Sequence, residues 1–192
     1  MFSAVSRGAA AGAAAVAVPV VGRAVANASR HSCTINIKNC SSVYSLVHPK
    51  VWMNSGYNSQ PPSPTVDTNT KSSCAFSKTA GTARGAVGVL TYDLFIREKS
   101  RSDKLIAIMF SVPFDYNLYD NWLAVGIFDQ AQPCDETLYK FMYYDSDYRF
   151  NRVKATDPSI VYTRESVEIR ATMSNARTAD VQVEIHDKCC IN

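Results

Sequence analysis

The feature of this sequence that most restricts its fold is an apolar pattern with a period of two residues. From Cys33 onward, apolar and polar side chains alternate in short segments, of which TINIK at Thr34–Lys38 is an example. Such alternation is typical of strands that bury one face. Two longer apolar runs, Ala86–Phe95 and Leu105–Val112, are rich in β-branched residues and bounded by turn-forming segments. We expect them to be core strands joined as a hairpin across Arg97–Asp103.

Other segments complete the expected fold. Further strands are predicted at Tyr44–His48, Val51–Met53, Trp122–Phe128, Ser166–Thr172 and Val181–His186. Pro49 separates the first two, and Asn54–Ser73 is expected to be a loop because its three prolines do not fit a central strand. The segment Asp135–Tyr144 begins with acidic residues and has apolar side chains at helical spacing, so it predicts a helix. With a second helical candidate at the N-terminus, the fold class is mainly β: a compact β-sandwich flanked by two α-helices.

The N-terminal 30 residues have a different composition from the rest of the chain. Gly8–Gly22 is uncharged and dominated by alanine and valine. It fits a secretory signal, a transit peptide or a membrane-active helix. As a helix it would span about 22 Å, short of a hydrocarbon core of about 30 Å, unless Arg7 and Arg23 reach outward to the headgroups. These residues alone leave the three interpretations open.

Composition excludes several classes of protein. The 192 residues suit one domain, and 46% hydrophobic with 19% charged residues is not the composition of a disordered chain. No run of strong hydrophobes is long enough for a polytopic membrane protein. No Gly-rich phosphate loop, HExxH or G-x-S-x-G motif occurs, so we expect no enzyme, no catalytic residue and no cofactor. We also expect no nucleic-acid partner.

The cysteines and histidines point to no particular chemistry. His186, Cys189 and Cys190 are potential ligands for a soft metal, but a fourth ligand at a recognised spacing is missing, so no metal site is expected. Six cysteines in a chain of this length are compatible either with reduced thiols or with disulfides. Redox compartment therefore stays open.

Aromatic residues give a more specific signal. The loop sequence FSVPFDYNLYDNW at Phe110–Trp122 is crowded with rings, and Tyr139, Tyr143 and Tyr144 fall on one side of the predicted helix. Tyrosine and tryptophan favour places where an apolar ring meets a polar, wet end, as at a bilayer surface. Ring faces also attract quaternary ammonium groups, and phenol hydroxyls donate to phosphate. The pattern fits a choline headgroup site and, equally, ordinary packing at the edge of a core.

Three of these segments carry a resemblance to a known family. RGAVGVLTYDLF at Arg84–Phe95, FSVPFDYNLYDNW at Phe110–Trp122 and LYKFMYY at Leu138–Tyr144 closely resemble the actinoporins, the pore-forming cytolysins of sea anemones, and still more the actinoporin-like proteins of fish. The resemblance runs from about Arg30 to the C-terminus. It implies a β-sandwich with two flanking helices, secretion, and action at a target cell membrane.

The resemblance also implies a binding site and partners. A phosphocholine headgroup, typically of sphingomyelin, would lie against eight residues: Ser55, Val87, Ser111, Pro113, Tyr119, Tyr139, Tyr143 and Tyr144. The surface facing the membrane would comprise Tyr116, Leu118, Trp122 and Leu123. The protein would be monomeric in solution and a homo-oligomer on membranes, with residues 1–30 as the inserting helix and 31–192 as the lipid-binding β-sandwich. Copies of that helix would line a cation-conducting pore.

Two departures from the family keep a rival interpretation open. Leu118 and Leu123 stand where the anemone toxins have additional tryptophans, and YRFNR replaces an Arg-Gly-Asp triplet after the helix. Gly8–Gly22 also has almost no polar face, which a pore-lining helix needs towards water. The chain could therefore be a peripheral lipid-binding module without pore activity, or a secreted sandwich that uses its tyrosines to recognise a protein or glycan.

Overall fold

Residues 31–188 are described by the structure, a computed structural model, and they form two six-stranded sheets and one α-helix. The helix, α1, spans Glu136–Tyr144. The strands are β1 (Ser32–Asn39), β2 (Tyr44–Ser55), β3 (Tyr57–Gln60), β4 (Thr65–Val66), β5 (Lys71–Ser77), β6 (Ala86–Ile96), β7 (Arg101–Val112), β8 (Trp122–Asp129), β9 (Phe150–Lys154), β10 (Ile160–Arg164), β11 (Val167–Met173) and β12 (Thr178–Asp187).

The two sheets pack face to face around one core. The first sheet has the order β10-β11-β12-β1-β5-β3 and the second the order β4-β2-β6-β7-β8-β9. Every pairing is antiparallel except that of β1 with β12, which joins the two ends of the described chain in parallel. Inward-facing side chains of both sheets, including Ile35, Phe76, Phe110 and Val183, fill the space between them. The predicted β-sandwich is present.

Both faces of the central strands in the second sheet are buried. In β6, Leu90 and Leu94 face the first sheet, while Val87 and Val89 face α1. A strand covered on both sides needs apolar residues at successive positions, which explains the long apolar run of β6. The predicted hairpin between β6 and β7 is present, and its turn is a short 3-10 helix at Arg97–Lys99.

Several edge elements differ from the sequence-based expectations. β2 is one strand of twelve residues, because Pro49 lies at a break in register between Val47 and Lys50, where it removes no ladder hydrogen bond. The expected loop Asn54–Ser73 contains β3, β4 and the start of β5. Two further strands, β9 and β10, were not predicted; both are edge strands of five residues, and in β10 an exposed Val161 between the buried Ile160 and Tyr162 hides the alternation in the sequence.

The described part of the chain contains one of the two expected helices. The second expected helix falls within residues 1–30, outside the described residues. Within residues 31–188, no helix is both long enough and apolar enough to cross a bilayer. The observed helix, α1, packs on the outer face of the second sheet through Leu138, Tyr139 and Met142, and so sets the position of the tyrosine cluster.

Candidate functional site

One end of the second sheet carries a row of four residues that are direct register partners. Ser55 pairs with Val87, Val87 with Ser111, and Ser111 with Trp122, so the row crosses β2, β6, β7 and β8. Partners in register point to the same face of a sheet. That face is the one covered by α1, since Val87 and Trp122 belong to the cluster beneath the helix. Residues that are far apart in the sequence thereby form one floor.

Helix α1 brings three tyrosines over this floor. Asp135 caps the helix by accepting a hydrogen bond from Leu138 N at 3.0 Å. Tyr139 is only 5% exposed, and its ring lies 5.6 Å from that of Tyr143. Tyr143 in turn meets Tyr144 edge to face at 4.8 Å. The three rings form a continuous aromatic wall.

The end of the helix is held by Arg152 from β9. Its guanidinium donates to the main-chain carbonyls of Met142, at 3.3 Å, and of Tyr143. The same guanidinium stacks over the Trp122 ring at 5.3 Å. Because the last carbonyls of a helix carry partial negative charge and lack partners within the helix, this cation stabilises the turn that bears Tyr143 and Tyr144.

A loop after β7 forms the opposite wall and is anchored from within. The Tyr116 hydroxyl lies 2.8 Å from Asn121 Oδ1 and 2.9 Å from the Ala176 carbonyl oxygen. Buried Asn121 also donates to the Ser174 and Ala176 carbonyls. With its base fixed, the loop exposes Leu118 by 72% and Tyr119 by 57% of their surfaces.

Floor, helix and loop enclose a cavity of about 520 Å³. All eight residues predicted to bind a headgroup line it, and the additional lining residues are Asn54, Ala83, Arg84, Gly85, Phe114 and Asp115. The cavity opens to solvent, because Tyr119 and Tyr144 at its rim are largely exposed. Its volume falls within the range of about 300 to 1,000 Å³ that is usual for small-ligand sites.

Gly85, which sequence reasoning missed, shapes the floor of this cavity. A Cβ atom there would lie 1.8 Å from the Val112 carbonyl oxygen, so only glycine permits this approach of β7. The Ser55 hydroxyl donates to the Gly85 carbonyl at 2.8 Å. Because the Ser55 hydroxyl donates its proton within the protein, its oxygen can only accept a hydrogen bond from a ligand. In the sequence, the first glycine of RGAVGV was the available sign of a close backbone approach at this position.

The electrostatics of the cavity suit a zwitterion. Burial, reinforced by the neighbouring phenols, raises the pKa of Tyr139 above its ordinary value, and burial does the same to the pKa of Tyr143. Both hydroxyls therefore keep their protons at neutral pH. Arg84 is the cation and Asp115 the carboxylate among the lining residues. Aromatic faces can hold a methylated ammonium, while the arginine and the phenols can donate to a phosphate.

The four residues predicted to face the membrane are not equivalent in the structure. Leu118 lies at the exposed tip of the loop. Trp122 is half-buried beneath Arg152 and Lys154, and Tyr116 is half-buried with its hydroxyl bound internally. Leu123 is fully buried, and its predicted membrane contact is wrong, because alternation along β8 turns the residue after Trp122 into the core between the sheets.

Other polar groups of the described residues form less complete candidate sites. On the outer face of the first sheet lies a second cavity of about 720 Å³, and among the residues described most of those that line it are polar and none is aromatic. Cys40, Glu184 and His186 place potential ligand atoms within 4.8 Å of one another, which is one ligand short of a structural zinc site. Cys189 and Cys190 lie outside the described residues. Cys33, Cys40, Cys74 and Cys134 are free thiols.

Comparison with known proteins gives consistent results. The family described as Sea anemone cytotoxic protein matches residues 10–187. DELTA-thalatoxin-Avl1b from Actineria villosa is 40% identical over 108 residues, which are 54% of this chain and 41% of the toxin. Bryoporin from Physcomitrium patens is 33% identical over 153 residues, covering 79% of this chain and 81% of its own. The chain thus spans about two fifths of the thalatoxin but most of bryoporin.

A solved structure shares the fold at low sequence identity. The lipid binding protein Nakanori superposes with a TM-score of 0.62 at 11% identity, covering 80% of this chain and 70% of its own. At this identity the likeness concerns the arrangement of the two sheets alone.

Proposed function

Because the chain belongs to the sea anemone cytotoxic protein family, we propose that it is a pore-forming cytolysin that docks on phosphocholine headgroups and then inserts its N-terminal segment into the bilayer. Membership confirms the resemblance to the actinoporins drawn from the sequence, and the family is one of cytotoxic proteins rather than enzymes. The protein would be secreted, remain monomeric in solution and oligomerise on its target membrane.

One observation carries the choline part of the proposal. Eight residues from three strands, one loop and one helix line a single open cavity, and four of them are tyrosines. The trimethylammonium group would lie against the rings of Tyr119, Tyr139, Tyr143 and Tyr144. Each such contact is worth about 0.5 to 2 kcal/mol, depending on how far it is desolvated. The phosphate would accept from the phenol hydroxyls and from Arg84.

Docking would precede insertion. Leu118 and Tyr119 at the loop tip, with Trp122 behind them, would enter the headgroup region while the cavity takes up a lipid. Releasing an apolar N-terminal helix before docking would expose that surface to water, at a cost of about 25 cal/mol per Å². Bound copies would then insert residues 1–30 and line a cation-conducting pore together.

Binding and leakage can be measured separately on the full chain. Flotation with sphingomyelin vesicles reports docking, and release of an entrapped dye reports the pore. Val16→Glu with Val18→Glu should leave docking intact and abolish release, because each charge costs about 2.5 to 3.5 kcal/mol at the centre of a bilayer. Val161→Glu, at an exposed valine of β10, is the matched control and should leave both intact.

The main alternative is a peripheral membrane module that binds lipid without forming pores. The feature that favours it is the nearly complete lack of a polar face in Gly8–Gly22. If the unmodified protein floats with vesicles but releases no dye at any concentration, this alternative replaces the pore. If it fails to float with sphingomyelin vesicles at all, choline docking itself is refuted.

A further inference from the structure

Two cations stack on aromatic rings beside the cavity. Lys78 Nζ lies 4.8 Å from the centre of the Phe114 ring, and the Arg177 guanidinium carbon lies 5.9 Å from the centre of the Tyr116 ring. Phe114 and Tyr116 both contact His31, at ring separations of 5.1 and 6.1 Å. The five side chains therefore form a continuous row, named here the basic row, with a positive charge at each end.

The basic row adjoins the proposed headgroup cavity. Phe114 belongs to both, since it also lines the cavity together with Arg84. Its position places the row on the same end of the molecule as the exposed Leu118 and Tyr119. Any bilayer that contacts the loop tip would lie close to Lys78, Arg84 and Arg177.

These charges are not neutralised by the protein itself. Within residues 31–188, no carboxylate forms an ion pair with Lys78, Arg84 or Arg177. Lys154, by contrast, is paired with Asp120 at 2.8 Å. Among the described residues that line the cavity, Asp115 is the one carboxylate and Arg84 the one cation. The surface around Lys78, Arg84 and Arg177 thus carries an excess of positive charge, which a choline lipid, having no net charge, does not neutralise.

We propose that the basic row binds the headgroups of anionic phospholipids, as a second lipid contact beside the choline cavity. The inference rests on the proposed docking of this end of the molecule to a bilayer. Lys78 and Arg177 would each face a negatively charged headgroup, while Leu118 and Tyr119 enter the interfacial region of the same bilayer. Membranes containing both choline lipids and anionic lipids would then bind the protein more strongly than either lipid alone.

The size of the effect follows from the charge of the bilayer. A lysine or arginine near an anionic membrane surface strengthens binding about fivefold at moderate ionic strength. The two cations of the row should together give roughly a 25-fold gain when part of the choline lipid is replaced by phosphatidylserine. Because the Debye length falls to about 3 Å at 1 M salt, the gain should disappear there while choline binding persists.

The test compares flotation of the full chain with vesicles of phosphatidylcholine and sphingomyelin, with and without phosphatidylserine. Lys78→Gln with Arg177→Gln should lose the gain on anionic vesicles and keep the affinity for choline vesicles. Lys71→Gln with Arg170→Gln removes the same charge from the outer face of the first sheet and is the matched control. Lys71 begins β5 and Lys78 follows its end, about 23 Å away along an extended strand.

Each outcome decides between the two proposals. The basic row is refuted if the unmodified protein binds both vesicle types equally, or if the Lys71 and Arg170 control loses as much as the row variant. A gain on phosphatidylserine without any affinity for choline vesicles would uphold the row and refute choline docking. Should the double variant unfold, Lys78→Arg must keep the gain and Lys78→Gln alone must lose about fivefold.

Discussion

Tyr144 offers the sharpest test of the headgroup cavity, because it is the tyrosine that can be removed at least cost to the fold. Its ring lines the cavity and is 68% exposed. Tyr139, in contrast, is nearly completely buried beneath the helix. Replacing Tyr139 with alanine would cost about 3 to 5 kcal/mol of stability, so a loss of binding there would not distinguish a site from a damaged core.

The expected effects of Tyr144→Ala can be estimated from its surroundings. About a third of a tyrosine surface of roughly 200 Å² is covered, which is worth about 1.6 kcal/mol at 25 cal/mol per Å². The edge-to-face contact with Tyr143 adds about 0.5 to 1.5 kcal/mol. A domain with an unfolding free energy of about 5 to 15 kcal/mol tolerates such a loss. The lost cation–π contact of about 0.5 to 2 kcal/mol should weaken binding two- to thirtyfold.

The assay is flotation with sphingomyelin vesicles, with soluble phosphocholine as competitor and a thermal melt as the check on folding. Tyr144→Phe keeps the ring and should lose less affinity than Tyr144→Ala. Tyr148→Ala is the matched control, since Tyr148 is similarly exposed, stacks under Arg164 and does not line the cavity. Unchanged binding by a folded Tyr144→Ala variant, or an equal loss in Tyr148→Ala, would refute the assignment of the cavity.

Three other predictions follow from the same geometry. Leu118→Ala should weaken vesicle binding about tenfold without lowering the melting temperature, whereas Leu123→Ala should cost about 2 to 5 kcal/mol of stability; identical melting curves for the two variants would contradict the assigned orientation of β8. Gly85→Ala should lower stability by about 1 to 3 kcal/mol in a thermal melt and reduce vesicle binding, because its Cβ would collide with the Val112 carbonyl. Partial burial of Asp187 acts to raise its pKa, but hydrogen bonds from Ser41 and Ser42 outweigh burial and hold that pKa below the ordinary value of 3.8. Its stabilisation is therefore complete above that value and lost as pH falls through the lower pKa of the folded state; the acid-induced drop in melting temperature should be smaller in Asp187→Asn, and an identical drop would contradict the assignment.

Period-two alternation was a reliable guide to five of the strands that bury a face, although β5 and β10, which also bury one, were not predicted. β1, β7, β8, β11 and β12 lie within a few residues of their predicted bounds. It failed for β3 and β9, because a polar edge strand has no apolar face to reveal it. It also failed for β10, which buries Ile160 and Tyr162, because the exposed Val161 between them breaks the apolar–polar alternation of the sequence. Pro49 was predicted to separate two short strands, because proline does not fit a regular ladder, but a register shift in β2 accommodates it within one strand.

For the cavity, the sequence indicated the types of the lining residues but not the directions in which their side chains point. All eight predicted residues line it, yet Arg84, Gly85 and Asp115 joined them only through the folded arrangement of the strands. Leu123 was predicted to face the membrane but is buried, since adjacent residues of a strand point to opposite faces. The resemblance drawn from the sequence therefore identified eight lining residues, but it did not reveal the other residues that line the cavity, nor that Leu123 is buried in the core.

The sequence alone determined the class of fold, the hairpin of β6 and β7, the helix Glu136–Tyr144 and the chemical character of the aromatic segments, because each of these depends on local periodicity or composition. The tertiary structure decided the rest: the register that aligns Ser55, Val87, Ser111 and Trp122, the bond from Ser55 to Gly85, and the row from Lys78 to Arg177. These contacts join residues distant along the chain. Such contacts form only when two sheets and a helix bury their apolar faces together.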